Sequence, residues 1–450
     1  MHIRLLLAFV VSSVSLHGIS IAERRTENMD VDHWAELQKG IAMSHLLDNV
    51  GDSGRYAKNV NAGCIIASPS NNVPNYYFQW VRDSALTMMT VIDRFLEGDH
   101  GLESIIVKYM DEMVRLQKVN NPSGDFYSGG LGEPKFHTDG SSFDEDWGRP
   151  QNDSPALRAM AFIRYLNYRF DHGTEAHEVV PYIEALLADL DYTVGIWAQP
   201  GFDLWEEIKD VHYFTLTVQK TALQEGAAFA KRVGAWDQST LYAETIHPID
   251  LKLGEFWDHE KGIIRGYKNI PNRSGLDCSV LLASLYSKEF DTHTLPTLRK
   301  LQESMTQAYP INQGHKQLIG RYLEDVYDGV SSSIGNPWFL CTHSAAEVVY
   351  KAIQYYDSYG LPELTSHNVQ FFVYFAEFGD PYNWPLIRKN LIKYADKFLQ
   401  DAAEFQHPNG SMSEQISRFD GQQVGALDLT WSYSSLLNAI YRREAIKHTV

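Results

Sequence analysis

The sequence predicts an all-α fold, a closed ring of helical hairpins, and three observations carry that expectation. Apolar residues recur at helical spacing along most of the chain, strand-like alternation is scarce, and the intervening segments alternate between short turns and long loops. Paired helices with short turns at one end and long loops at the other close into an α/α toroid, with function at the long-loop end. A solenoid of helical repeats competes with this architecture, and the lack of a fixed sequence period counts against it.

The elements follow in order. Helical runs are expected near 33–49, then 80–97, where Asp83-Ser84 offers a cap. In 102–118, Leu102, Ile105, Ile106, Tyr109, Met113 and Leu116 form one apolar stripe. Further runs lie near 154–171, 177–198, 213–233, 238–257, 276–287 and 293–309. A run at 337–357 has Pro337 suited to a first helical position. In 385–403 the stripe is Ile387, Leu391, Tyr394, Ala395 and Phe398, and 426–444 closes the series of roughly twelve helices. The long loops are 61–79, 120–152, 199–212, 310–336 and 406–425, rich in Gly, Pro, Asn, Trp and acids.

Bulk properties narrow the partners. The chain has 450 residues, 44% of them hydrophobic, enough for a large core. Arg4, the apolar run Leu5 to Val14 and Ser20-Ile21-Ala22 have the pattern of a cleaved secretory leader over 1–22, leaving a single domain over 23–450. No later run is long enough to span a membrane, so no membrane association is expected after cleavage. The net charge of −18 argues against nucleic acid as a partner and suits a neutral ligand. A monomer is expected. Cys64, Cys278 and Cys341 permit at most one disulfide, and Cys341 sits in an apolar helical run as a small hydrophobe. Asn152, Asn272 and Asn409 head Asn-x-Ser sequons and become glycan candidates on a secretory route, Asn409 in the most turn-like context.

The chemistry is narrowed first by what is missing. The sequence contains no C-x-x-C, H-E-x-x-H, P-loop, G-x-G-x-x-G or G-x-S-x-G motif, so metal, nucleotide and serine-hydrolase chemistry lack support, and no metal or cofactor is expected. What the long loops do carry is acids beside aromatics and arginine. Asp203-Leu204-Trp205-Glu206-Glu207 crowds three carboxylates around one indole, and repulsion with desolvation is expected to keep a proton on the cluster. Tyr76-Tyr77-Phe78-Gln79-Trp80-Val81-Arg82-Asp83 pairs donors with acceptors, and Asp144-Glu145-Asp146-Trp147-Gly148-Arg149 fixes a Trp in a loop. Arg321 and Asp325 precede Trp338, and Glu414 stands among small residues in Gly410-Ser411-Met412-Ser413-Glu414-Gln415. Each string alone reads as ordinary surface or core. Five of them at one end of a ring point to a site for sugars, whose C–H faces stack on rings while their hydroxyls bond acids.

These strings, with Gly132-Glu133-Pro134-Lys135-Phe136, Trp147-Gly148-Arg149-Pro150-Gln151, Gly335–Thr342 and Asp428-Leu429-Thr430-Trp431-Ser432-Tyr433, resemble fungal glucoamylases, glycoside hydrolase family 15, in the right order from about residue 60 to 443. The resemblance implies an (α/α)6 barrel and exo-hydrolysis of α-1,4-glucans from the non-reducing end, releasing β-glucose with inversion. It implies Glu206 as general acid and Glu414 as general base, with Asp203 as a supporting acid sometimes given a proton-accepting role, and Glu207 also supporting. It implies sugar contacts from Tyr76, Trp80, Arg82, Asp83, Trp147, Leu204, Trp205, Glu207, Arg321, Asp325, Trp338 and Trp431. Glu206 is expected to have its pKa raised by Trp205 and its acidic neighbours. The sequence departs from familiar members at Gly425 and Leu427, where Ser and Arg are usual, and at Asn152, where a basic residue is usual. It ends at Val450 without the starch-binding domain of many members. The compartment is expected to be extracellular, vacuolar or a sporulation compartment. Competing functions are a trehalase or glucodextranase type of toroid glycosidase, or a non-catalytic glucan-binding protein.

Overall fold

A computed structural model of the protein describes residues 30–447, so the leader expected at 1–22 lies outside the described residues. Thirteen α-helices occur among them. In chain order these are α1 (Val31–Asp48), α2 (Val81–Leu96), α3 (Glu103–Gln117), α4 (Ser154–Asp171), α5 (Val180–Ile196), α6 (Tyr213–Arg232) and α7 (Trp236–Gly254). They continue as α8 (Ser279–Tyr286), α9 (Thr294–Ala308), α10 (Phe339–Tyr359), α11 (Val369–Phe375), α12 (Trp384–Ala403) and α13 (Thr430–Ala445). The one helix not expected is α11, a seven-residue run whose Phe371, Phe372 and Phe375 are buried. It is too short to show a helical stripe over several turns.

Six helices close an inner ring: α2 packs on α4, α4 on α6, α6 on α8, α8 on α10, α10 on α13, and α13 back on α2. The outer layer is α1, α3, α5, α7, α9 and α12, which completes the expected (α/α)6 barrel. Side-chain character decides which layer a helix joins. The inner helix α10 is buried almost continuously from Phe339 to Ile353, with Ala345, Ala346 and Ala352 keeping it slim. The outer helix α7 buries only Tyr242, Thr245 and Ile249, one stripe of an amphipathic helix. One hydrophobic core runs from Ala35 to Ile446.

Some of the charge in the core is paired. Arg158 of α4 and Asp189 of α5 are both buried, with Arg158 Nε donating to Asp189 Oδ2 at 2.7 Å and Nη2 to Oδ1 at 2.5 Å. Arg158→Leu leaves the Asp189 carboxylate buried and unpaired and is expected to cost about 3 kcal/mol, measurable by thermal or urea denaturation.

All six inner helices begin at the same end, each preceded by a long loop: 49–80, 118–153, 197–212, 255–278, 309–338 and 404–429. The loop 255–278 is a sixth member that the sequence reading did not count among the functional loops. Short antiparallel ladders pin these loops. β1 (Gln79–Trp80) pairs with β2 (Lys135–Phe136), joining the first loop to the second. β3 (Gly201–Phe202) with β4 (Lys209–Asp210) frames the 203–208 turn, and β5 (Trp257–Asp258) pairs with β6 (Ile263–Ile264). β7 (Gln415–Ile416) with β8 (Gln423–Val424) frames Glu414. Among the described residues no helix is long and apolar enough to cross a membrane.

Two helix starts differ from the sequence reading. α2 begins at Val81, two residues before the expected cap, because Val81 N–H is taken by Pro134 O at the end of the β1–β2 ladder. α10 begins at Phe339 rather than at Pro337, because Pro337 O accepts from Ile416 N and Trp338 N donates to Ile319 O. Both starts are set by neighbouring loops.

Candidate active site

The convergent N-termini make the long-loop mouth electropositive, since each helix end carries about half a positive charge. Carboxylates gather there in response: Asp83 in the first turn of α2, Asp153 before α4 and Asp277 before α8. One pocket opens among them. Tyr76, Trp80, Arg82, Asp83, Leu204, Trp205, Glu206, Arg321, Trp338, Glu414 and Trp431 line it, together with Tyr327 and Leu429. In ring order the loop of Glu206 is third and that of Glu414 sixth, so the topology sets the two acids across the barrel from each other.

Glu206 occupies the left-handed region at φ 66, held by the β3–β4 turn. Its Oε1 accepts from Trp80 Nε1 at 2.7 Å and from Gln151 Nε2 at 2.9 Å, and Arg82 Nη2 lies 3.6 Å away. No donor reaches Oε2 among the described residues, and the side chain is 20% exposed. The expected crowding of Glu206 by Trp205 and its acidic neighbours does not occur, because the turn sends each side chain a different way. Trp205 Nε1 donates to Asp277 Oδ1 at 3.0 Å. Asp203 is buried, its Oδ1 accepting the backbone N–H of Glu207 and Ile208, and burial raises its pKa. Burial also works on Glu207, but Arg321, Tyr322 and Arg273 outweigh it and hold that carboxyl below its ordinary value. For Asp203 the Glu207 charge adds to burial, while the Glu207 and Ile208 N–H groups oppose both.

Glu414 is fully buried. Its Oε2 accepts from Gln415 Nε2 at 3.0 Å, and Gln415 is held in turn by Asn336 Nδ2, which donates to Gln415 Oε1 at 2.9 Å. Burial pushes the Glu414 carboxyl up to about 7, opposed by the Tyr76 hydroxyl, Arg321 and the Gln415 amide. Its Oε1 has no hydrogen-bond partner among the described residues, and neither has the indole N–H of Trp338 or Nε of Arg82. Three such atoms lining one pocket leave two donors and an acceptor open to a polar guest. Gly425 stands against the acid: a Cβ there would lie 2.4 Å from Glu414 Oε2, at φ +78. A serine at this position thus requires the carboxylate to shift.

The arginines are fixed by bidentate or multiple pairing. Arg82 Nη1 donates to Gln151 Oε1 at 2.7 Å and Asp153 Oδ2 at 3.2 Å. Arg321 Nε and Nη2 reach Asp325 Oδ2 and Oδ1 at 2.8 and 2.6 Å, with Nη2 also on Glu207 Oε1 at 2.8 Å. Burial foremost pushes Asp83 up to about 6, against the pull of Arg82.

Of the sequence-selected residues, Asp203, Glu207 and Asp325 stand behind the lining rather than in it, and Trp147 stands beside it, 36% exposed with its ring 6.0 Å from Trp80. Tyr327, Leu429, Gln151, Asp277 and Lys135 were not selected. Lys135, Gln151 and Leu429 stand within the strings that carry the family resemblance. The acid Asp277, just ahead of an apolar helix, was the available signal for the loop 255–278. Asn152 is buried with its amide against Gln199 O and Gly201, whereas Asn272 and Asn409 are exposed. A second cavity, between the C-terminal ends of the inner helices, has its carboxylates occupied in the pairs Arg164–Asp93, Arg442–Glu347 and Arg94–Glu97.

The family model described as glycosyl hydrolases family 15 matches residues 40–441. A protein named probable glucoamylase from Schizosaccharomyces pombe is 70% identical over 446 residues, covering 99% of this chain and 98% of that one. Glucoamylase-1 of Schizophyllum commune is 35% identical, covering 97% of this chain and 78% of its own length. The solved glucoamylase of Saccharomycopsis fibuligera superposes with a TM-score of 0.88 at 32% identity, over 94% of this chain and 97% of that one. With a family model spanning most of the chain and a solved relative of the same architecture, this chain belongs to glycosyl hydrolases family 15.

Proposed function

We propose that the protein removes glucose from the non-reducing ends of α-1,4-linked glucans by inverting hydrolysis, with Glu206 and Glu414 as the reacting carboxylates. The observation that supports this most is a single pocket holding two acids from opposed loops, each presenting one oxygen without a hydrogen-bond partner among the described residues. With Oε1 of Glu206 accepting two N–H groups, Oε2 is the oxygen left to pass a proton to the glycosidic oxygen. Oε1 of Glu414 is the acceptor for a proton from water attacking the other face of the sugar ring. Inversion needs the two carboxyls roughly 6.5–9.5 Å apart to leave room for that water.

Arg82, Asp83 and Arg321 hold the hydroxyls of the terminal glucose, and Trp205, Trp338 and Trp431 wall it. Early product from maltoheptaose is expected to be glucose and maltohexaose; a spread of intermediate lengths contradicts exo attack. Rates on maltose, trehalose and dextran separate this reading from other toroid glycosidases. Trp147, partly out in solvent, stacks on a following sugar. Trp147→Ala is expected to raise KM about fivefold to tenfold on maltotriose and longer chains and also to lower kcat, because its ring packs on Trp80, the donor to Glu206, measured by steady-state kinetics.

We infer a secretory route from the leader-like 1–22 and the exposed sequons at Asn272 and Asn409, for a monomer acting as one domain. Peptide mapping after deglycosylation tests occupancy at the two sites, with Asn152 expected bare.

A further inference from the structure

Lys135 stands directly opposite Trp80 in the β1–β2 ladder and is buried. Its ammonium lies 4.1 Å from the ring centroid of Phe78, 4.6 Å from Trp80, 4.0 Å from Phe143 and 3.5 Å from Trp147. Those four rings touch in a closed circuit, Phe78–Trp80 at 6.1 Å, Trp80–Trp147 at 6.0 Å, Trp147–Phe143 at 5.7 Å and Phe143–Phe78 at 5.2 Å. Two rings come from the first long loop and two from the second. No carboxylate lies within ion-pairing distance of the ammonium among the described residues, so the π faces are its partners. A buried lysine without an anion is costly and is kept only where the surroundings repay it.

The Trp80 indole that closes this cage is also the 2.7 Å donor to Glu206 Oε1. The geometry points to Lys135 as a positioning residue for the reaction: its ammonium clamps the aromatic circuit that aims Trp80, and through that indole and its own charge it makes Glu206 the stronger acid. A cation over an indole face draws electron density from the ring and strengthens the N–H as a donor. The same charge favours the carboxylate that Glu206 becomes once its proton is given up.

The charged groups facing the ammonium are Glu206, Glu145 and Arg149, and His137 packs outside Phe78 and Phe143. Those facing Glu206 are Arg82, Asp83 and Lys135 itself. Burial lowers Lys135 to about 8, so the clamp is charged throughout the acidic and neutral range.

This inference rests on Glu206 being the acid, so Glu206→Gln is measured beside it. Lys135→Met keeps the bulk of the side chain and removes the charge; Lys135→Arg keeps the charge. Steady-state rates on maltotriose are taken across pH. Lys135→Met is expected to lose about tenfold in kcat with a smaller change in KM, and to move the alkaline limb of kcat upward by roughly half a unit or more, because Glu206 holds its proton longer. Lys135→Arg should return that limb to the wild-type position. A folded Lys135→Met with the wild-type limb and kcat overturns the inference while an inactive Glu206→Gln leaves the acid assignment standing. An active Glu206→Gln overturns the acid assignment itself. If Lys135→Met does not fold, the wild-type protein decides: the Trp80 indole 15N–1H resonance, assigned with Trp80→Phe, should titrate between about pH 7 and 9 as the clamp loses its proton. A resonance that stays still overturns the inference.

Discussion

Glu206→Gln is expected to lower kcat on maltose by about 10^2- to 10^4-fold, the range of a lost general acid, with the fold intact. The loss should shrink sharply on α-glucosyl fluoride, whose leaving group departs as fluoride and needs no proton. This contrast isolates the role. Glutamine keeps an oxygen to accept from Trp80 Nε1 and Gln151 Nε2, so the two contacts that hold Glu206 can survive the substitution. What disappears is the transferable proton at the position of Oε2. An equal loss on both substrates would mean that Glu206 does not act as the acid, and turnover near wild type on maltose would remove it from the chemistry.

Glu414→Gln is expected to lose activity on maltose and on glucosyl fluoride alike, by about 10^2- to 10^4-fold, because activation of water is needed for both. The same variant should gain stability. Burial raises the folded-state pKa of Glu414 from an ordinary 4.5 to about 7, so the folded protein holds a proton that the unfolded chain has released. The contribution of Glu414 to stability therefore falls as pH rises from about 4.5 through about 7, and is least favourable above that. Removing the ionisation is expected to stabilise by roughly 3 kcal/mol at pH 8 and by nothing at pH 4. Thermal denaturation at the two pH values checks this. A destabilised variant at pH 8 would show that the Gln415 and Tyr76 contacts depend on the charge of Glu414.

The barrel, and the strings that bring Glu206 and Glu414 into one pocket, were legible in the sequence because their signals are local. Helical stripes repeat along α3 and α12, and Asp203–Glu207 and Gly410–Gln415 are unbroken strings. What those strings could not reveal is where adjacent side chains point. Asp203, Trp205, Glu206 and Glu207 are neighbours in sequence, yet a tight turn gives them separate partners in Ile208, Asp277, Trp80 and Arg321. Within the cluster, crowding enters as the Glu207 charge adding to the burial of Asp203. The Lys135 cage and the link from Asn336 through Gln415 to Glu414 are assembled from loops far apart in the chain, beyond the reach of spacing arguments. The burial of Asn152 was illegible for the same reason: a tripeptide pattern says nothing of burial.

The central claim is that water attacks the sugar face opposite the departing oxygen, with Glu414 as base and Glu206 as acid. Proton NMR of maltotriose hydrolysis in the first minutes, before mutarotation, tests it most directly. The anomeric signal of released glucose is expected to appear first as β and then to drift toward the equilibrium mixture. Glucose appearing first as α would contradict it.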